Sequence, residues 1–137
     1  MVSVKSVLAT AFAALPLSSA YISSMTAPAT AKAGSTITAT MSASIYVQNW
    51  DDFGIVWGLA PQEWNCGDIV CVGQRIAYTP LFPDNVPQPG NFTIDVAVPK
   101  SFSAGKYNLV AAIPYLVGAS GMTSIQNYTA AVEITAA

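Results

Sequence analysis

The chain has 137 residues, of which 53% are hydrophobic and only 9% are charged, and its formal net charge is −2. This composition excludes intrinsic disorder, because the chain is too apolar, and it excludes a nucleic-acid or anionic-lipid binder, because no basic stripe is present. The absence of histidine removes the most common general base, every Ser-His-Asp arrangement and most metal sites.

The first twenty residues have the pattern of a secretory signal peptide. Lys5 supplies a positive start, residues 7–17 form an apolar run, and small residues occupy positions 18–20. The run is shorter than the roughly 20 apolar residues that a membrane span requires, and Pro16 would break an N-terminal core helix. We therefore expect cleavage after Ala20, no membrane span, and secretion of residues 21–137 as one monomeric domain.

Seven segments of this domain are predicted to be β-strands. In chain order they are residues 21–25, 36–45, 53–59, 69–78, 92–98, 107–113 and 128–134. The clearest apolar-polar alternation is in the second segment, whose predicted inward row is Ile37, Ala39, Met41, Ala43 and Ile45. Turns rich in Gly and Pro separate the segments. The pattern predicts an all-β fold, a single immunoglobulin-like antiparallel β-sandwich.

Two aromatic residues have positions that this fold would explain. Trp57 alternates with Ile55 and Leu59 on one face of the third segment, where sandwich folds place a core tryptophan. Tyr107 follows the turn at residues 101–105. Its hydroxyl either bonds back to that turn, as in immunoglobulin-like domains, or the residue is an ordinary inward tyrosine.

The only two cysteines of the chain, Cys66 and Cys71, have four residues between them. In a secreted protein they are expected to form a disulfide. Two thiols without histidine make a poor zinc site. Because both cysteines fall in one loop, the bridge would not link two sheets as in antibody domains.

Two tripeptides match the N-glycosylation sequon. They are Asn91-Phe92-Thr93 and Asn127-Tyr128-Thr129. Each lies at or beside the start of a predicted strand segment, so we expect Asn91 and Asn127 to be exposed acceptors.

No catalytic, cofactor or metal site is predicted. Asp51 and Asp52 are adjacent, so on a strand they would point to opposite faces and could not flank one glycosidic bond. Together with Asp68 they lack the spacing of a calcium loop, and we expect them to be solvated loop acids. We therefore expect no enzyme.

The loops at one end of the predicted sandwich suggest a binding surface. Trp50, Asp51 and Asp52 precede the third strand, and the later loop at residues 115–123 contains Tyr115 and Met122. These two loops meet at one end in an immunoglobulin-like fold, so the five residues are candidate partner contacts. The alternative is that residues 115–117 finish their strand inside the core. Trp64 is expected at the opposite end from Trp50.

Four stretches of the chain carry a family resemblance. They are "NWDDFGIVWGLAP", "CGDIVCVGQRIAYT", "PQPGNFT" and "PYLVGASG". Together they resemble the necrosis-inducing secreted protein family of fungal effectors, over nearly the whole of residues 21–137. The resemblance implies a small protein delivered during plant infection or colonisation, without an enzymatic motif.

Such proteins suppress pattern-triggered immunity by binding receptor-associated host kinases, and some provoke host cell death. The resemblance assigns no contact residues here. It also leaves open whether the protein acts outside host cells or is translocated into them.

Two other classes of function compete with the effector interpretation. A fungal cell-wall or extracellular-matrix module could bind carbohydrate by stacking Trp50 or Trp64 on a sugar ring. A hydrolase would need two carboxylates that face each other across a cleft, and the spacing of the acids gives no support for such a pair.

Overall fold

Residues 19–137, which the computed structural model describes, form nine β-strands and no helix. The strands are β1 (Ser19–Thr26), β2 (Thr30–Lys32), β3 (Thr36–Tyr46), β4 (Trp50–Asp52), β5 (Gly54–Pro61), β6 (Gln74–Pro80), β7 (Gly90–Ala97), β8 (Gly105–Val117) and β9 (Met122–Thr135). One sheet has the order β1-β3-β7. The other has the order β2-β9-β8-β5-β6, with β4 paired to β8.

The two sheets form the predicted sandwich. Strands β1, β3 and β7 occupy the A, B and E positions of an immunoglobulin-like fold, and β5, β8 and β9 occupy C, F and G. All pairs are antiparallel except β2 with β9, where Thr30 lies opposite Glu133. The first predicted strand is thus continued by β2, which crosses to the second sheet after Pro28.

The core lies between the inward rows of the two sheets. Trp57 is fully buried, and its indole Nε1–H donates to the hydroxyl of Thr79 at 2.9 Å. The core also contains the inward rows of β3, β8 and β9, which include Ile37, Leu109 and Val132. The predicted core position of Trp57 is therefore confirmed.

Ile45 is a wrong prediction, because its side chain is exposed. The pairing of β3 with β7 ends at Ala43 and Gly90, so Ile45 extends past the region where strands flank β3 on both sides. Alternation along a strand predicts which face a side chain takes, but it does not predict where the pairing with a neighbouring strand stops.

The hydroxyl of Tyr107 donates to the carbonyl oxygen of Ser103 at 2.9 Å. This is the bond from a strand F tyrosine back to the preceding turn that immunoglobulin-like folds use. The contact closes the turn that leads into β8, and it decides between the two interpretations of this residue.

The segment predicted as a strand at residues 69–78 is shorter in the structure. Strand β6 begins at Gln74, and residues 66–71 form a loop closed by the Cys66–Cys71 disulfide. The predicted disulfide is confirmed. Gly73, which follows this loop, has a φ of 74°, in the left-handed region that glycine tolerates best.

Of the predicted signal peptide, residues 1–18 lie outside the described residues. Ser19 and Ala20 belong to β1, opposite Tyr46 and Ile45. Within residues 19–137, no helix is long and apolar enough to cross a membrane.

Candidate partner-binding tip

We call one end of the sandwich, formed by residues 44–53, 80–90 and 113–125, the tip. At its centre β4 pairs with the last residues of β8, with Trp50 opposite Val117 and Asp52 opposite Tyr115. The following loop is fixed to the loop before β4, since Gly118 N–H donates to the Asn49 carbonyl at 3.2 Å. The structure thus brings the "NWDD" and "YLVGASGM" stretches together.

Trp50 supports the tip from inside. Its ring stacks on that of Tyr115, with centroids 4.4 Å apart and planes at 7°, and it also contacts Tyr21 at 4.8 Å and Tyr46 at 5.0 Å. Only 7% of Trp50 is exposed. The expectation of an open loop here is wrong, because β4 extends the sheet and turns alternate side chains inward. Trp50 therefore cannot offer its ring face to a partner.

Asp52 is the buried charge of the tip, with 1% of its surface exposed. Its Oδ1 accepts from Trp50 Nε1–H and its Oδ2 accepts from the backbone N–H of Ile22, both at 2.8 Å. The hydroxyl of Tyr128 donates to the carbonyl oxygen of the same Ile22 at 2.8 Å. The expectation of a solvated acid is wrong for Asp52. Asp52 and Tyr128, which both belong to the larger sheet, thus bond to the backbone N–H and carbonyl of Ile22 on β1, the edge strand of the smaller sheet.

Burial raises the pKa of Asp52 above its ordinary value of 3.8. The two accepted hydrogen bonds favour the ionised form and oppose this effect, while the neighbouring charge of Asp51 adds to it. Burial also raises the pKa of Tyr128, and the Asp52 charge acts in the same direction. Desolvation is thus the dominant electrostatic effect at this point.

The outer surface of the tip carries several exposed apolar side chains. Val47 is 81% exposed, and Met122 and Ile45 are also exposed. Asp51, on the opposite face of β4 from Asp52, is partly exposed, as is Leu116. A cavity of about 370 Å³ lies beside Trp50 and Asp51, against the loop at residues 86–89. Among the five candidate contacts, Met122 is exposed, Asp51 and Tyr115 are partly exposed, and Trp50 and Asp52 are buried.

The net charge of the domain is concentrated at the tip. Asp51, Asp52 and Asp84 lie there, and the three segments of the tip contain no lysine or arginine. The remaining acids, Glu63, Asp68, Asp95 and Glu133, equal in number the four basic residues of 21–137, which are Lys32, Arg75, Lys100 and Lys106. The tip is therefore acidic as well as apolar.

The aromatic cluster around Trp50 contains two residues that the sequence did not indicate, Tyr46 at the tip and Tyr21 from the neighbouring β1. Tyr21 begins the first predicted strand, and Tyr46 directly follows the second. The spacing of these two residues in the sequence does not indicate a contact with Trp50. They meet it because β1 and β3 pair with Tyr21 opposite Ser44. Contacts of this kind depend on strand order, which local periodicity does not contain.

The other predicted site residues lie elsewhere. Asn91 and Asn127 are both exposed, Asn91 on β7 and Asn127 on β9, so they belong to different sheets. Trp64 is 54% exposed in the loop after β5. In residues 19–137, no three His, Cys, Asp or Glu side chains gather as metal ligands would.

Comparison with known proteins identifies the family. A protein-family model described as the Nis1 family matches residues 18–133. The chain is 31% identical to "Necrosis-inducing secreted protein 1" of Colletotrichum orbiculare, over 93% of this chain and 77% of that protein. It is 26% identical to the protein of the same name from Colletotrichum higginsianum, over 86% of this chain and 81% of that protein.

These matches confirm the resemblance that the four sequence stretches carry, and they span the strands that build the tip. Both relatives are named as secreted proteins, which supports the predicted extracellular localisation. The chain belongs to the Nis1 family.

Proposed function

We propose that this protein is a secreted fungal effector that acts on plant cells by binding, and that its targets are host receptor-associated kinases. Binding would suppress pattern-triggered immunity and, in some hosts, provoke cell death. The observation that carries the proposal is family membership over nearly the whole domain, with two relatives named as necrosis-inducing secreted proteins.

The geometry of the tip supports action by contact. Stacked aromatic rings and a doubly hydrogen-bonded carboxylate hold β4 rigidly below an exposed apolar surface. Preorganised surfaces of this kind lose little conformational entropy on binding. We infer that Asp51, Leu116, Met122 and Val47 contact the partner, and that Trp50, Asp52 and Tyr115 position them.

A binding experiment with matched variants tests this surface. Asp51→Lys combined with Met122→Glu changes one acid and one exposed apolar side chain at the tip. Asp68→Lys combined with Ile69→Glu makes the same two changes in the disulfide loop, where both residues are also exposed. Affinity for the kinase domain of a receptor-associated kinase is then measured for both proteins by calorimetry.

The tip variant is expected to lose at least about tenfold in affinity, since truncating a hot-spot residue costs about 2 kcal/mol or more and a tenfold change corresponds to about 1.4 kcal/mol. The loop variant should bind as the parent does. Circular dichroism of both variants checks that the sandwich persists. Equal affinity of the parent and the tip variant would exclude the tip as the contact surface. Absence of binding by the parent would exclude receptor-associated kinases as the targets.

A carbohydrate-binding role stays as a second candidate because of one observation. Trp64 is exposed beside two shallow clefts, one of about 260 Å³ and one of about 150 Å³. Trp50, the other tryptophan considered for stacking on a sugar, is buried. Retention of the parent, but not of Trp64→Ala, on insoluble glucan or chitin would favour this role over the effector role.

A further inference from the structure

The outer face of the larger sheet is apolar at its centre and partly covered by the disulfide loop. Strand β5 turns Gly58 and Ala60 to this face, and β8 turns Val110 to it. The carbonyl of Val72 lies so close to Gly58 that any side chain there would collide with it. The loop at residues 62–73 therefore packs directly on the sheet.

A cleft of about 150 Å³ remains between this loop and strands β8 and β9. Its walls include Trp64, Ile69 and Val110 on the apolar side and Asn127 and Thr129 on the polar side. Trp64 is 54% exposed and Ile69 is 71% exposed. Together these side chains give the cleft an apolar wall that a further group could cover.

The second sequon lies in this cleft. Asn127 and Thr129 are exposed on the outer face of β9, whereas Tyr128 between them points inward and packs against the core. An N-glycan on Asn127 would thus begin at the cleft, within reach of Trp64 and Ile69.

The first sequon has different surroundings. Asn91 lies on the outer face of the smaller sheet, where the hydroxyl of Ser42 donates to its Oδ1 at 2.6 Å. Its neighbours there are Thr40 and Thr93, which are exposed and lie opposite each other. A glycan on Asn91 would meet the hydroxyl groups of Ser42, Thr40 and Thr93 on this face. The sequon at Asn91 therefore serves as an internal control for the sequon at Asn127.

We propose that Asn127 carries an N-linked glycan whose first N-acetylglucosamine occupies the cleft and packs on Trp64 and Ile69. The C–H faces of a pyranose ring are apolar, and covering an indole and an isoleucine with them removes apolar surface from water. The first sugar thus fills the cleft on the outer face of the sheet and covers the exposed apolar side chains there.

The covalent step is the usual one of the secretory pathway, with a lipid-pyrophosphate-linked oligosaccharide as co-reactant. The Asn127 amide nitrogen forms a bond to the anomeric carbon of the first sugar, and the bond from that carbon to the pyrophosphate oxygen breaks. The amide gives up one proton. The sequon threonine, Thr129, supplies the acceptor signal.

The test uses the full chain, secreted from a eukaryotic host, with Asn127→Gln and Asn91→Gln as a matched pair. Intact-mass measurement reports the occupancy of each site. Part of the parent protein is trimmed with an endoglycosidase that leaves a single N-acetylglucosamine on each asparagine. Tryptophan emission then reports on Trp64, because Trp50 and Trp57 are buried.

Asn127→Gln is expected to shift tryptophan emission to the red and to lower the melting temperature by roughly 3–6 °C. Asn91→Gln and the trimmed parent are expected to match the parent in both measurements. Thr129→Val should reproduce Asn127→Gln, while Thr129→Ser should keep the glycan. The red shift should vanish in a Trp64→Phe background.

An unmodified Asn127 in the secreted protein would overturn the proposal. So would a trimmed parent that loses as much thermal stability as Asn127→Gln, since the first sugar would then not be the group that packs. Equal effects of Asn127→Gln and Asn91→Gln would also overturn it, because the cleft would make no difference.

Discussion

At the scale of single residues, the backbone of Ile22 shows how this sandwich is closed. Its N–H donates to Asp52 and its carbonyl accepts from Tyr128, so two side chains take the place of a neighbouring strand. Unpaired groups at a buried edge cost about as much as lost hydrogen bonds. The sequence showed Asp52 only as half of an acidic pair, because its partner lies thirty residues earlier in the chain.

The raised pKa of Asp52 leads to a pH dependence. Its folded-state pKa lies above the unfolded value of 3.8, so the native state binds this proton more tightly than the unfolded state does. The contribution of Asp52 to stability is therefore fully present below the unfolded pKa and is lost as the pH rises through the folded pKa. Urea unfolding from acidic to neutral pH measures the decline.

Asp52→Asn is the matched comparison. The amide keeps one acceptor oxygen but places an N–H₂ group against one of the two donors, so the variant should lose about 1–3 kcal/mol. Its stability should also change less across the same pH range than that of the parent. Parallel pH curves for the two proteins would show that Asp52 does not titrate as its burial implies.

At the scale of elements, two short segments shape the surfaces described above: β4 at the tip, and the disulfide loop on the outer face of the larger sheet. Strand β4 has three residues, which is too few for alternation to reveal it, and it forms because β8 continues to Val117 and offers an edge. The sequence predicts a strand from residue 69, but β6 begins at Gln74, and residues 69–73 belong to the loop before it. Val72 instead packs against Gly58 on the outside of the sheet, and Ile69 is exposed.

Trp50 should behave as a core residue despite its position at the tip. Trp50→Ala removes a buried ring that contacts three tyrosines, so we expect a loss of about 3–5 kcal/mol in unfolding free energy. Trp64→Ala in unglycosylated protein is the control, and it should change stability by no more than about 0.5 kcal/mol. Similar losses for the two variants in urea unfolding would contradict the burial difference.

Replacing both cysteines by serine should destabilise the protein modestly. The loop between Cys66 and Cys71 is short, so the chain-entropy model gives about 2 kcal/mol. The core between the sheets does not contain either cysteine, and the far-ultraviolet spectrum should stay that of a β protein. Loss of the folded spectrum at low denaturant would mean that the loop is needed for the sheet itself.

At the scale of the whole molecule, hydrophobic alternation predicted the sandwich, the inward rows and the place of Trp57. These features depend on which face of a strand is apolar, and that information is local. The aromatic cluster around Trp50, the closure at Ile22 and the end of the core near Ile45 depend on strand order and sheet length. Such features arise from contacts between residues far apart in the chain, which alternation does not encode.

The concentration of net charge at the tip gives a kinetic prediction that rests on the proposed function. Asp51→Asn with Asp84→Asn should slow association with the kinase domain at low salt and weaken the dependence of that rate on ionic strength. Glu63→Gln with Asp68→Asn removes two acids outside the tip and should alter the rate less. Stopped-flow association measurements over a salt series compare the pairs, and an unchanged salt slope in the tip variant would exclude steering by these acids.

The parallel pairing of β2 with β9 has a consequence for export. Thr30 of β2 lies opposite Glu133, and the carbonyl of Ile22 accepts from Tyr128, so β2 and the outer edge of β1 gain these partners only after β9 has been synthesised. Contacts that span so much of the chain form slowly, because the intervening loop must be closed first. We therefore expect the sandwich to close only after β9 has emerged from the ribosome, so that a translocation channel receives a chain whose two sheets have not yet closed on each other.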